Sequence, residues 1–108
     1  MLPHSPDTND MRFQRRRRGS LARRPEAGFV RAQDFADYVI DALDWLWDDG
    51  ATTPKLMTIG LHPRTIGRPG RIAGLDRVPG RIRDRGGAWI ARRDAIARHW
   101  LGTHGRRL

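Results

Sequence analysis

Lys55-Leu56-Met57-Thr58-Ile59-Gly60-Leu61-His62-Pro63 is the stretch that decides the fold. It is short and nearly continuously apolar, which predicts a strand over 55–61, covered on both faces as in a parallel sheet. Proline has no N–H to give to a ladder, so His62-Pro63 closes the strand. Beyond it, Arg64, Gly67, Arg68, Pro69 and Gly70 read as a loop. Ile72, Leu75, Val78 and Ile82 then recur at helical spacing and predict a helix over 70–84. Pro79-Gly80 falls inside that helix and should kink or split it. Gly86-Gly87 ends it. Ala88-Trp89-Ile90 reads as a second short strand, and Asp94–Leu101 as a final helix with Ile96, Trp100 and Leu101 on one face. From Thr103 onward the chain should fray.

Toward the N-terminus, Phe35, Val39, Ile40, Leu43, Leu46 and Trp47 recur at three- and four-residue spacing and predict a helix over 33–47. Asp34, Asp37, Asp41, Asp44 and Asp48 form a second stripe. Side chains strung along a helix axis splay into water, so this stripe reads as the solvent face rather than a cation site. Asp34 also suits the positive end of the helix dipole, and Gly50 suits its C-terminal stop. Residues 14–28 hold the run Arg15–Arg18 and read as a flexible arginine-rich loop, because like charges repel and stay extended. Residues 3–13, with Asp7, Thr8, Asn9 and Asp10, read as a loop or strand end. The order is strand end, helix, strand, helix, strand, helix. That is an α/β layout of parallel strands alternating with helices. Three such strands leave too little chain to cover both faces and edges, so the layout reads as a piece of something larger.

With 108 residues, 38% of them hydrophobic, the chain has material for one modest core at most. It lacks cysteine, which excludes a disulfide scaffold, a thiolate zinc site, an iron–sulfur cluster and a thiol nucleophile. No apolar run approaches the ~20 residues of a membrane helix. His4, Asp7 and Asp10 do not read as a secretion leader, so a cytoplasmic location is expected. The net charge of +9 opens a rival reading, a small basic nucleic-acid-binding protein with weak, non-specific affinity through the arginine loop. Nearly all of the basic residues are Arg, as a GC-rich genome would also write them, and no helix-turn-helix, zinc or RNA-binding signature accompanies them. The four tryptophans, Trp45, Trp47, Trp89 and Trp100, read as helix–sheet packing. Arg92 and Arg93 read as structural. Arg64 and Arg68 flank the Gly/Pro loop after His62, where a planar fork of donors would clamp an anionic or ureido substrate; a salt bridge across the same opening is the alternative.

Met57-Thr58-Ile59-Gly60-Leu61-His62-Pro63-Arg64-Thr65-Ile66-Gly67-Arg68-Pro69-Gly70 resembles the late motif of the polysaccharide-deacetylase (NodB-type) family, in its allantoinase-like branch. Asp7-Thr8-Asn9-Asp10-Met11-Arg12-Phe13 resembles that branch's strand-end segment before the long helix. Trp89 to Trp100 resembles its closing strand and helix. The resemblance implies the C-terminal third of a distorted (β/α) barrel with its site at the carboxyl ends of the strands. It implies hydrolysis of non-peptide C–N bonds, in N-acetylated sugars or in an amide or ureide such as allantoin, within carbohydrate metabolism or purine catabolism. His62, following Leu61, takes the place of the general acid, and Asp10 the place of the aspartate that orients it, although Met11 stands where the family has Trp. Both would sit at strand ends and so approach each other. The family's early motifs, an Asp-rich base segment and His-x-x-x-His ligands, do not occur here. The expectation is therefore no metal site in this chain, a divalent metal in the intact family, no activity alone, and a missing N-terminal part or partner chain. Pro79-Gly80 and the Arg15–Arg18 loop depart from the family pattern.

Overall fold

The computed structural model describes residues 2–13 and 28–105. The arginine-rich loop expected over 14–28 lies, apart from Gly28, outside the described residues. Among the described residues, four α-helices follow a short 3₁₀ turn, Asp10–Phe13: α1 Ala32–Asp49, α2 Pro63–Ile66, α3 Pro69–Arg85 and α4 Arg93–His104. None is long and apolar enough to cross a membrane.

The strands expected over 55–61 and 88–90 do not form among the described residues. The first is extended, and one parallel bridge joins Gly60 to Asn9. Gly60 N–H donates to the Thr8 carbonyl at 2.9 Å, and Asp10 N–H donates to the Gly60 carbonyl at 3.0 Å. The predicted direction is therefore present without the ladder. A strand is a pairing state, and among the described residues the neighbouring segment meets Thr58 through side chains, its hydroxyl donating to the Pro3 carbonyl at 3.0 Å and its carbonyl accepting from the Thr8 hydroxyl at 2.6 Å, rather than through a backbone ladder. Glycine is required at 60, because a Cβ there would run into the Asn9 side chain at the point where the two segments touch.

The core lies between α1, α3 and the two chain segments that flank α1. Phe13, Phe29, Phe35, Val39, Ile66 and Val78 are buried together, with Met57, Ile59, Leu75 and Ile82 packed against them. The three phenylalanine rings stand 5.4–5.9 Å apart, with edge and tilted contacts suited to aromatic quadrupoles. Phe29 N–H donates to the Arg12 carbonyl at 2.8 Å, so the chain returns to Phe13 just before α1 begins.

Helix α1 spans its expected range with the expected buried stripe, and Gly50 N–H caps it on the Leu46 carbonyl. Its aspartates are not simply a solvent face. Asp37 pairs with Arg77 at 3.0 Å, Asp44 with Arg81 at 3.0 Å and with Arg85 at 2.8 Å, and Asp48 with Arg85 at 2.8 Å. The residues of α3 repeat at 77, 81 and 85, one turn apart, and so meet the α1 stripe rung by rung. Asp34 does different work: its carboxylate accepts the N–H groups of Val30 and Arg31 at 3.0 and 2.7 Å and closes the helix N-terminus.

Helix α3 is not split at Pro79. It runs unbroken from Pro69 to Arg85, where Gly86 and Gly87, both at positive φ, end it. Pro79 is exposed, so the hydrogen bond it cannot make to Leu75 falls on the solvent side. Buried Val78 and the Asp–Arg rungs on both sides of Pro79 hold the two halves in line against α1. Of the tail expected to fray from Thr103 onward, residues 106–108 lie outside the described residues, and Thr103 and His104 are helical. The Thr103 hydroxyl donates to the His99 carbonyl at 2.9 Å, the His104 ring stacks on Trp100 at 3.9 Å, and α4 continues through His104.

The tryptophans depart furthest from expectation. Trp45 is 77% exposed, Trp89 60% and Trp100 59%. The apolar periodicity that makes these segments regular also needs a second layer to cover it. No sheet stands over α4 or residues 86–92 among the described residues. Arg92 and Arg93 keep structural contacts, to Asp94 at 3.2 Å and to the Leu2 carbonyl at 3.4 Å.

Candidate active site

Asp10 opens the 3₁₀ turn and is wholly buried. The Asx turn that starts this segment belongs to Asn9, whose side-chain oxygen accepts Met11 N–H at 2.8 Å. That leaves the Asp10 carboxylate to face His62. Its Oδ2 accepts the His62 backbone N–H at 2.6 Å, and its Oδ1 lies 2.6 Å from His62 Nδ1. The two residues are 52 positions apart in the chain and are brought together by the Asn9–Gly60 bridge, one residue before Asp10 and two before His62.

A carboxylate accepts only, so Nδ1 carries the proton of that bond. The tautomer and the ring plane are thereby set, and among the described residues Nε2 has no protein partner. The His62 side chain is 49% exposed while that of Asp10 is fully covered. The pair thus presents one ring edge outward from a buried anionic anchor. Pro63 turns the chain into α2 directly after the histidine.

His62 opens onto a cleft of about 740 Å³ whose rim includes Met11, Arg64, Thr65, Arg68 and Arg71. Arg68 Nε donates to the Arg64 carbonyl at 3.1 Å and Arg71 Nη1 to the Thr65 carbonyl at 3.2 Å. The Arg71 guanidinium also lies over the Phe13 ring at 4.6 Å. The structure brings all four candidate residues, Asp10, His62, Arg64 and Arg68, to this one place. Among the described residues neither Arg64 nor Arg68 is paired with a carboxylate; Arg68 is bonded to the Arg64 carbonyl instead. Arg71 was not singled out in the sequence. Its signal is the spacing Arg64, Arg68, Arg71, which keeps three guanidinium groups on one side of the turn from α2 into α3.

Among the described residues no three His, Asp or Glu side chains converge as metal ligands. Both oxygens of Asp10 are taken by His62, and His99 and His104 are spent on Trp89 and Trp100. The described residues do not converge on a divalent-metal site. Two carboxylates away from the cleft are held below their ordinary value of 3.8: Asp34 by the backbone N–H groups of Arg31 and Val30, and Asp44 by the Arg81 hydrogen bond.

No protein-family model matches the chain. A Schizosaccharomyces pombe protein described as "Putative polysaccharide deacetylase" is 39% identical over 105 residues, covering 96% of this chain and 30% of that protein. The crystal structure of Puue allantoinase superposes with a TM-score of 0.85 at 42% identity, covering 98% of this chain and 32% of the other. The structure of a "probable Polysaccharide deacetylase from Pseudomonas aeruginosa PAO1" does so with a TM-score of 0.82, at 42% identity and the same coverage. The chain is similar to a C-terminal segment of polysaccharide deacetylase and allantoinase proteins. It spans about a third of the length of the relatives it matches.

Proposed function

We propose that this chain is the acid-bearing part of a hydrolase that cleaves non-peptide C–N bonds. The observation that carries this reading is the 2.6 Å contact between buried Asp10 and His62 at the mouth of an open cleft. In the doubly protonated ring, Nδ1–H stays on Asp10 and Nε2–H points outward. As the C–N bond breaks, the electron pair goes to nitrogen and the Nε2 proton goes with it. The imidazole is left neutral, still held by the carboxylate, which remains an anion throughout. A positioned acid of this kind is worth about 10²–10⁴ in rate. Asp10 acts through His62 and is a positioning residue. Arg64 and Arg68 hold the substrate.

Activation of the attacking water belongs to protein outside this chain, either a preceding part or a partner chain, and in the intact family a divalent metal would serve there. The substrates that fit are a ureide such as allantoin or an N-acetylated sugar, in purine or carbohydrate metabolism and in the cytoplasm. The test is complementation. Alone, the chain should leave both allantoin and N-acetylglucosamine oligomers unhydrolysed. Joined to the remaining two-thirds of a related enzyme, it should restore turnover of one of them, and His62→Ala in this chain should remove it. Turnover by the joined protein that survives His62→Ala would refute the assignment.

A further inference from the structure

Asp10 meets His62 only if two segments that lie 50 residues apart in the chain stand in the right register. The parallel bridge between Asn9 and Gly60 sets that register by backbone. Gly60 N–H donates to the Thr8 carbonyl at 2.9 Å and Asp10 N–H to the Gly60 carbonyl at 3.0 Å, the two bonds a parallel ladder makes around one residue. Continued in both directions, that ladder would bring the Thr8 N–H to the Thr58 carbonyl and the His62 N–H to the Asp10 carbonyl. Here side chains of the same two residues take both places. The Thr8 hydroxyl donates to the Thr58 carbonyl at 2.6 Å, and Asp10 Oδ2 accepts the His62 N–H at 2.6 Å.

The backbone turns at Asp7–Thr8 and coils into the 3₁₀ turn from Asp10, so neither end runs on as a strand. Side-chain groups reach where the turning backbone does not. Thr8 suits this position. It is buried, so water competes little for its hydroxyl. Its branched Cβ restricts χ1 and leaves the donor already aimed. The Thr58 hydroxyl is bonded elsewhere, to the Pro3 carbonyl at 3.0 Å, and can be removed separately. Register matters because a slip of one residue turns the side chains of an extended segment to its other face. His62 Nδ1 would then lose its carboxylate.

We propose that Thr8 is a positioning residue for the Asp10–His62 pair: its hydroxyl locks the register from the far side of the Asn9–Gly60 bridge and so keeps Asp10 Oδ1 on His62 Nδ1. Its effect on turnover rests on the hydrolase reading; its effect on the ring does not.

The test is NMR on the full 108-residue chain, following exchange of the His62 Nδ1 proton with water. Thr8→Val keeps the shape and removes the donor. It should speed that exchange about tenfold, the size expected for one hydrogen bond. Thr8→Ser returns the hydroxyl and should bring the rate back to within about twofold of the unaltered chain. Thr58→Val also loses a hydrogen bond, on the side away from His62, and should leave the rate unchanged. General destabilisation would move Thr58→Val and Thr8→Val alike, and that outcome overturns the proposal. So does an unchanged rate in folded Thr8→Val. Should Thr8→Val not fold, Thr8→Ser decides: a ring proton that exchanges about tenfold faster although the hydroxyl is kept overturns the proposal. In the joined enzyme, Thr8→Val should lower kcat about tenfold and leave KM in place. An unchanged ring with turnover still dependent on His62 would refute this inference alone; a loosened ring with turnover indifferent to His62 would refute only the hydrolase reading.

Discussion

At the residue scale the decisive contact joins two side chains whose roles are set by burial. Asp10 has no solvent to fall back on, so its stability depends on the two donors His62 supplies. Asp10→Asn keeps the shape and the acceptor for the His62 backbone N–H. It also turns a donor toward Nδ1, which must then accept. The expected outcome is a switch of the His62 proton from Nδ1 to Nε2, read from ring ¹⁵N shifts, with a loss of about 1–3 kcal/mol in unfolding free energy. An unchanged tautomer in a folded Asp10→Asn chain would show that the carboxylate does not orient the ring. Asp10 and His62 were legible as candidates because the strings around them resemble the strand-end segment and the late motif of the polysaccharide-deacetylase family. Arg71 was not, because its position beside Phe13 depends on how α3 leaves the short helix α2.

At the element scale, α1 and α3 act as a pair. Asp44 serves both Arg81 and Arg85 and titrates below its ordinary value of 3.8, chiefly through the Arg81 hydrogen bond. A carboxyl depressed in the folded state binds protons more readily when unfolded. Its contribution is therefore fully present above pH ~4 and is lost as pH falls through the folded-state value. Asp44→Asn should lower the melting temperature at pH 7, and its difference from the unaltered chain should shrink steadily below pH ~4. A constant difference across that range would mean that packing, not charge, is what the substitution disturbs. Pro79 gives the opposite kind of prediction. Helix α3 is continuous through this position, so Pro79→Ala restores an N–H opposite the Leu75 carbonyl within an existing helix. Urea unfolding should show a gain of about 1–3 kcal/mol. A loss would indicate that the native helix is bent around the proline ring.

At the scale of the whole molecule, the chain superposes on a third of much longer relatives, and its surface reflects that. Large apolar side chains at 45, 89, 90, 100 and 101 stand exposed, although the core around Phe35 and Val39 is closed. Extended residues 56–59 have no ladder on either side. Both features are what a parallel sheet leaves behind when its neighbouring strands and outer helices are absent from the chain. Tryptophan fluorescence should therefore be red-shifted and readily quenched by acrylamide in the isolated chain. It should shift to the blue, with quenching at least halved, when the complementing two-thirds of a relative binds. Emission already blue and protected in the isolated chain would mean that another surface, such as a second copy, covers these residues.

The sequence by itself determined what is local. The buried stripe of α1, the stops at Gly50 and Gly86, the extended run ending at His62-Pro63, and the pairing of Asp10 with His62 as neighbours all follow from spacing, backbone preference and motif. Tertiary structure decided what needs a second surface. Among the described residues it withheld the strands, because the segment beside residues 55–61 pairs backbone to backbone at a single parallel bridge rather than along a ladder. It carried α3 through Pro79, because contacts to α1 on both sides outweigh one missing hydrogen bond. It turned the aspartate stripe from a solvated face into an ion-pair seam, because arginines 40 positions away repeat with the same helical period. And it gathered Arg64, Arg68 and Arg71 around the cleft beside His62, because the turn from α2 into α3 sets where their side chains leave the chain.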